Sequence, residues 1–343
     1  MLCCGRCFND RGLRREIIPR LAQEKGKCPT CGAKDEDLVD AIELGDYFES
    51  LCGIYSSSED GEVLVDWLIR DWRIFSVDRA VANSLLVEIL NDGERVRQKV
   101  KPSAFCDSDS LNRWTQLRDE LRCRNRFFPE TDFEHDRLEE LLGSLIFDSE
   151  VWEEGWYRAR IENSGTLYPP EEMGAPPGER AIHGRANPAG IPYLYLGSTP
   201  TTAVAEIRPH PGEIVCVAEF TVPRGLKVVD LRNPRELVSP FLLRDEDIAP
   251  MRGDIAFLER LGQELTTPVL PDAAAIDYIP SQYLCEFIKK CGYVGVVYSS
   301  SVSDGMNLAL FAPGEAIVGR VVEYSVDAVS VTMSERLTGK DNE

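Results

Sequence analysis

The sequence predicts an α+β protein of two domains, in which an N-terminal zinc knuckle and helical domain precede a mixed α/β domain. Three observations carry this reading. Four cysteines form two Cys-x-x-Cys pairs before Gly32, apolar residues recur at helical spacing from about Asp35 to Asp148, and β-type runs interleaved with Pro and Gly begin after about Val151. At 343 residues the chain exceeds one ordinary core. The expected boundaries are 1–34 for the knuckle, 35–150 for the helical domain, 151–330 for the α/β domain and 331–343 for a C-terminal tail.

Composition narrows the functional classes. With 43% hydrophobic and 28% charged residues the chain reads as globular, and no apolar run approaches the ~20 residues that span a bilayer. The opening "MLCCGRCFND" lacks the apolar core of a secretory signal, so the expected compartment is the cytoplasm and no membrane partner is expected. A formal charge of -20, from 38 basic and 58 acidic residues, repels a phosphate backbone and argues against extended nucleic-acid binding. A small anion can still bind where a few arginines converge.

Cys4, Cys7, Cys28 and Cys31, in "CGRC" and "CPTC", are expected to converge on one structural Zn²⁺. Cys3 competes with Cys4 for the first ligand position. Cys52, Cys106, Cys123, Cys216, Cys285 and Cys291 are scattered and read mostly as core residues. In the helical domain, "EVLVDWLIRDWRIF", "DRAVANSLLVEIL", "LNRWTQLRDELRCRNRFF" and "FEHDRLEELLGSLIF" predict helices, with breaks at "SSSEDGE" and "KPSAFCDSDS". The run "RCRNRFF" reads as a helix end with arginines outward and phenylalanines in the core. His135 stands alone and is assigned no chemistry.

Strands are expected in "WYRARI", "YLYL", "EIVCVAEFTV", "LKVVDL", "YVGVVY", "NLALF" and "AIVGRVVEYSV". Alternation in the first puts Arg158 and Arg160 on one face, with Tyr157 and Ala159 on the other. Arg185 lies in the Gly/Pro-rich "HGRANPAG", where the glycines would let backbone approach a ligand. Tyr193 and Tyr195 share a face of their strand. In "STPTTAVAEI", Ser198 or Thr199 caps a helix whose first position is Pro200, and Glu206 follows on a face of small side chains, where partial burial is expected. The apolar run to Tyr298 enters the serines of "YSSS". No histidine joins them in a Ser/His/Asp arrangement, and His183 and His210 lack metal-ligand spacing, which argues against a serine hydrolase.

Taken together, these motifs resemble the RES domain, named for an arginine, a glutamate and a serine. The resemblance runs from about Trp156 to Tyr324 through Arg158, Arg185 with Asn187 and Gly190, Tyr195, Glu206 eleven residues later, the helical "PSQYLCEFI", Ser300 and Asn307. The first half resembles the HEPN-like domain fused to some RES domains, without the Arg/His spacing of ribonuclease members. The resemblance implies a fold related to ADP-ribosyltransferases and an NAD⁺-consuming toxin restrained by an antitoxin, often of the Xre type. It implies that Glu206, Arg158 and Ser300 are catalytic, and that Arg185, Tyr195, Asn187, Tyr157 and Asn307 bind NAD⁺. Family members hydrolyse NAD⁺, phosphorolyse it, or transfer ADP-ribose to a protein.

Three classes therefore compete: NAD⁺ glycohydrolysis or phosphorolysis, ADP-ribosyl transfer to a protein, and a non-catalytic module that binds through its zinc and helical elements. A ribonuclease fits least. The helical domain is left to regulation, partner binding or homo-oligomerisation.

Overall fold

The computed structural model describes residues 1–147, 155–163, 165–270, 272–330 and 333. Its compact units do not follow the linear division expected from sequence. One comprises Met1–Ile146 and Val229–Leu284, the other Phe147–Val228 and Cys285–Glu343. The boundary near residue 150 and most of the expected tail lie outside the described residues.

In the first unit, short strands β1 (Leu2–Cys4), β2 (Glu24–Gly26) and β3 (Glu36–Asp40) form an antiparallel sheet in the order β1-β3-β2. The cysteine segment is not a free-standing knuckle. Phe8, Leu13 and Ile17 are buried, and the Phe8 ring lies 6.1 and 5.9 Å from those of Phe48 and Phe75. Some thirty residues bury too little apolar surface to stand alone, so they share a neighbouring core.

The first expected break is instead strand β4 (Tyr55–Val63), which pairs with β5 (Lys99–Pro102), while the second holds from Ser103 to Asp109 as a short 3-10 turn and coil. The expected helices form at Arg79–Leu90, Ser110–Cys123 and His135–Gly143, while Leu64–Trp67 passes into a wider turn over Leu68–Trp72. Asp78 caps the first, accepting from the amides of Ala80 and Val81 at 2.9 and 3.0 Å.

The 22-residue helix Asp245–Thr266 explains why residues 229–284 belong to this unit. It buries Ile248, Ile255, Leu258, Leu261 and Leu265, and its Phe257 lies 6.2 Å from Trp114 and 6.1 Å from Phe133. An apolar stripe declares that a helix will be buried, not which partner buries it.

The "RCRNRFF" expectation is corrected, because Phe127 and Phe128 are 84% and 87% exposed. The buried Glu120 carboxylate accepts from the amides of Glu130 and Thr131, the Thr131 hydroxyl and the Asn125 amide. This closes the loop at its base and turns both rings outward.

The second unit is built on the strands of a sheet in the order β12-β8-β6-β7-β11-β10-β9, antiparallel from β12 to β10, with only the first residue of β9, Val228, in this unit. Its strands are β6 (Trp156–Ile161), β7 (Leu194–Gly197), β8 (Ile214–Thr221), β9 (Val228–Asp230), β10 (Gly295–Ser299), β11 (Met306–Leu310) and β12 (Ile317–Ser325). All seven coincide with the β-type runs read from the sequence. Alternation sorts β8 cleanly. Cys216, Ala218 and Phe220 enter a core with Trp156, Leu194, Leu196, Leu308 and Leu310, whereas Val215 and Val217 pack with Ala159 and Ala203 on the opposite face. That second face is covered by the helix Pro200–Glu206. The Pro-rich loop is anchored, with Met173 fully buried and Tyr168 and Ala175 packed on the larger core.

Candidate active site

The sheet loosens at its centre. β6 and β7 share one residue pair, Tyr157 with Gly197, whereas β6 pairs with β8 along its whole length. Just beyond the shared pair, Arg158 Nη1 donates to the Tyr195 carbonyl at 3.3 Å. Its Nε is buried without a hydrogen-bond partner, and among the described residues the guanidinium forms no ion pair. Burial, reinforced by Arg160, lowers its pKa to about 10. An uncompensated buried charge is a standing cost that a bound anion would remove.

The expected alternation holds. Tyr157, Ala159 and Ile161 pack under the Pro200–Glu206 helix, while Arg160 lies over the Tyr168 ring on the other side. Tyr157 is thus partly buried in apolar packing on that face.

Thr199 caps the Glu206 helix, accepting from the Thr202 amide at 3.0 Å with Pro200 in the first helical position, as expected. Glu206 itself is exposed, in contrast to the partial burial expected, because the helix ends there at the sheet margin. Its Oε1 accepts from Ser300 Oγ at 2.7 Å and Asn307 Nδ2 at 2.6 Å. Its Oε2 has no hydrogen-bond partner among the described residues. The carboxylate is therefore held by one oxygen and open at the other.

Ser300 is fully engaged. Besides donating to Glu206, its oxygen accepts from the amides of Val302 and Ser303 at 3.2 and 3.1 Å, which uses its donor and both lone pairs. In this geometry the serine orients Glu206 rather than offering a free hydroxyl. Asn307, 4% exposed, stands on β11 opposite Tyr298 of β10.

Arg185 Nη2 donates to Ser301 Oγ at 3.2 Å, which brings the Gly/Pro-rich loop to the serine loop. Tyr195 and Asn187 hold that loop from within. Tyr195 Oη donates to Asn187 Oδ1 at 2.7 Å and accepts from the Ala186 amide at 3.0 Å. Asn187 Nδ2 reaches the carbonyls of Ile182, Pro188 and Ile191 at 2.9–3.0 Å. Gly184 matters for the same contact, since a Cβ there would lie 2.5 Å from Asn187 Oδ1 and 2.6 Å from Tyr195 Oη. Asn187 and Gly184 thus shape the loop, where sequence reading placed Asn187 on the ligand. The two expected phenols lie near enough for Tyr195 to raise the Tyr193 hydroxyl, but they bond different groups, for Tyr193 is buried and its hydroxyl bonds Glu286.

One neighbour escaped sequence reading. Tyr298 is 3% exposed, and burial together with nearby Tyr195 and Glu206 raises its hydroxyl well above the usual phenol range. It stands on β10, which ends at Ser299 just before Ser300, so its place in the apolar run that leads into the serines was the available signal.

In the first unit, Cys4, Cys7, Cys28 and Cys31 have their sulfurs within 4.8 Å of one another. Cys4–Cys31 and Cys7–Cys28 are each 3.6 Å apart, too long for a disulfide and close to the ~3.8 Å edge of a tetrahedral zinc–thiolate site. These four could hold a zinc ion, and Cys4, not Cys3, completes the set. No helix of the described residues is long and apolar enough to cross a membrane.

No curated protein matches the chain. Among solved structures, a chain of the crystal structure of the M. tuberculosis MbcT–MbcA toxin–antitoxin complex aligns at 15% identity and a TM-score of 0.34, covering 55% of this chain and 92% of that one. The RES domain profile matches residues 156–332, just over half of the 343, and so includes Arg158, Arg185, Tyr195, Glu206, Ser300 and Asn307. The chain belongs to the RES domain family.

Proposed function

We propose that this protein is a RES toxin that consumes NAD⁺ by cleaving the nicotinamide–ribose bond, with water or phosphate as acceptor. The observation that carries the reading is the Glu206 carboxylate, fixed through Oε1 by Ser300 and Asn307 and open at Oε2. Nicotinamide is a cationic substituent that leaves as a neutral amine, so the departure needs no general acid. The demand falls on the ribosyl carbon, which becomes oxocarbenium-like and is stabilised by a preorganised negative charge. Glu206 supplies that charge through Oε2 and accepts the proton of the attacking nucleophile. Ser300 and Asn307 keep the carboxylate from rotating, so little reorganisation remains at the moment of reaction.

Arg158 and Arg185 complement this acid. The Arg158 guanidinium, without an acidic partner among the described residues and beside the loosened centre of the sheet, suits a pyrophosphate or an inorganic phosphate. The exposed part of Tyr195 offers a ring for stacking. The four-cysteine site would hold a structural Zn²⁺, which stabilises a segment short of its own core. By family expectation the activity is restrained by an antitoxin, of the Xre type in many members.

The test is release of nicotinamide from NAD⁺, followed by NMR with and without phosphate. Wild type is expected to release it, and Glu206→Gln to lower the rate by about 10²–10⁴-fold. Phosphate dependence selects phosphorolysis, and labelled protein without free ADP-ribose selects transfer. No release by the wild type, or equal release by the variant, refutes the assignment.

A further inference from the structure

Glu206 and Ser300 belong to segments 94 residues apart, and their alignment depends on how the first turn of the Glu206 helix meets the loop from Ser300 to Met306. That junction is a chain of hydroxyls. Thr202, one turn before Glu206 and 2% exposed, places Oγ1 2.9 Å from Thr199 Oγ1 and 3.1 Å from Ser303 Oγ. Ser303 Oγ in turn accepts from the Gly305 amide at 3.2 Å, and the Ser303 amide donates to Ser300 Oγ at 3.1 Å. On the adjoining strand end, the Met306 amide donates to Ser198 Oγ at 3.1 Å and the Ser198 amide returns a bond to the Met306 carbonyl at 2.9 Å.

Gly305 shows how tight the junction is. A Cβ there would lie 2.0 Å from Thr202 Oγ1 and 3.0 Å from Ser198 Oγ. Its backbone is not among the positive-φ glycines, so close approach alone requires glycine.

We propose that Thr202 is a positioning residue: its buried hydroxyl clasps the Glu206 helix to the serine loop, and Gly305 is glycine to admit it. The proposal rests on the reading of Glu206 as the catalytic carboxylate. Ser303 donates to Thr202, and Thr202 and Thr199 share a hydroxyl–hydroxyl bond in which either oxygen can donate. Losing the middle hydroxyl leaves Ser303 without its acceptor and loosens the loop whose amides hold Ser300.

The experiment compares Thr202→Val, which keeps the volume and loses the hydroxyl, with Thr202→Ser, which restores it. In the nicotinamide assay, Thr202→Val is expected to lower kcat about 10–100-fold with KM changed less than about twofold, and Thr202→Ser to recover most of the loss. Amide hydrogen exchange supplies a readout independent of activity. Residues 300–306 should exchange faster in Thr202→Val and at the wild-type rate in Thr202→Ser, with β6 and β8 unchanged.

Should Thr202→Val fail to fold, Gly305→Ala alone and combined with Thr202→Ala decides. Removing Oγ1 relieves the contact, so the double variant is expected to lose less than the sum of the singles. Wild-type kcat or unaltered exchange in Thr202→Val, or strict additivity in the double variant, overturns the clasp. A wild type that releases no nicotinamide overturns the reading of Glu206 instead, while the exchange comparison still judges the clasp.

Discussion

Replacing Arg158 by methionine should make the protein more stable and weaken its response to anions, leaving only the share that Arg185 supplies. The guanidinium has a buried Nε without a partner and forms no ion pair among the described residues. Lowering its pKa from 12.5 to about 10 corresponds, at about 1.36 kcal/mol per pH unit, to about 3 kcal/mol against the charged form. Because the folded value lies below the unfolded one, this cost is present in full at neutral pH and fades only as pH rises above about 10. Losing the hydrogen bond to the Tyr195 carbonyl returns about 1 kcal/mol. Arg158→Met should therefore gain about 2 kcal/mol, or about 4–8 °C in the melting of the second unit.

The assay is thermal unfolding at neutral pH, with and without ADP-ribose or pyrophosphate. Ligand should raise the wild-type midpoint, because the anion neutralises Arg158, and raise the variant's by clearly less, since Arg185 alone remains. A variant less stable than wild type by 1 kcal/mol or more, or one stabilised by pyrophosphate equally well, would refute the argument.

Three further outcomes follow from other parts of the molecule. Protein purified without chelator should carry about one zinc, and Cys28→Ser should lose it and lower the unfolding midpoint, as read by metal analysis and calorimetry. Asn187→Ala abandons three carbonyls and the Tyr195 hydroxyl, so it should cost about 3 kcal/mol in denaturant unfolding and raise KM for NAD⁺ by displacing Arg185. Glu120, held at a pKa of about 2 by the amide of Glu130 and the hydroxyl and amide of Thr131, stabilises the fold above the ordinary carboxylate range and loses that contribution as pH falls from about 4 to about 2. Acid titration of unfolding should accordingly be shallower in Glu120→Gln.

The second unit was legible to a large extent. Strands such as β8 alternate between two buried faces, β9 and β10 are built on continuous apolar runs, and the largely exposed β12 is rich in β-branched residues, so patterning and composition together marked all seven. The β4–β5 ribbon escaped because "SSSEDGE" carries turn residues, and a mostly exposed strand needs no apolar alternation. Phe127 and Phe128 misled for a related reason, since aromatic character argues for burial while the Glu120 hydrogen bonds decide otherwise. Arg185, Tyr195 and Glu206 could be named as site candidates within one stretch, and the cysteine set could be read from its spacing.

Local sequence thus determined the seven strands from β6 to β12, a helix cap at Ser198 or Thr199, the metal-ligating pattern and the types of group available for chemistry. Each of these depends on residues within a few positions of one another. Tertiary structure alone decided that residues 229–284 fold with the N-terminal unit, that Glu206 is held by one oxygen, and that Ser300 and Asn187 spend their polar groups on the scaffold. Those outcomes join atoms from distant segments, and the register of strands and the closure of loops, rather than any local preference, select which donor reaches which acceptor.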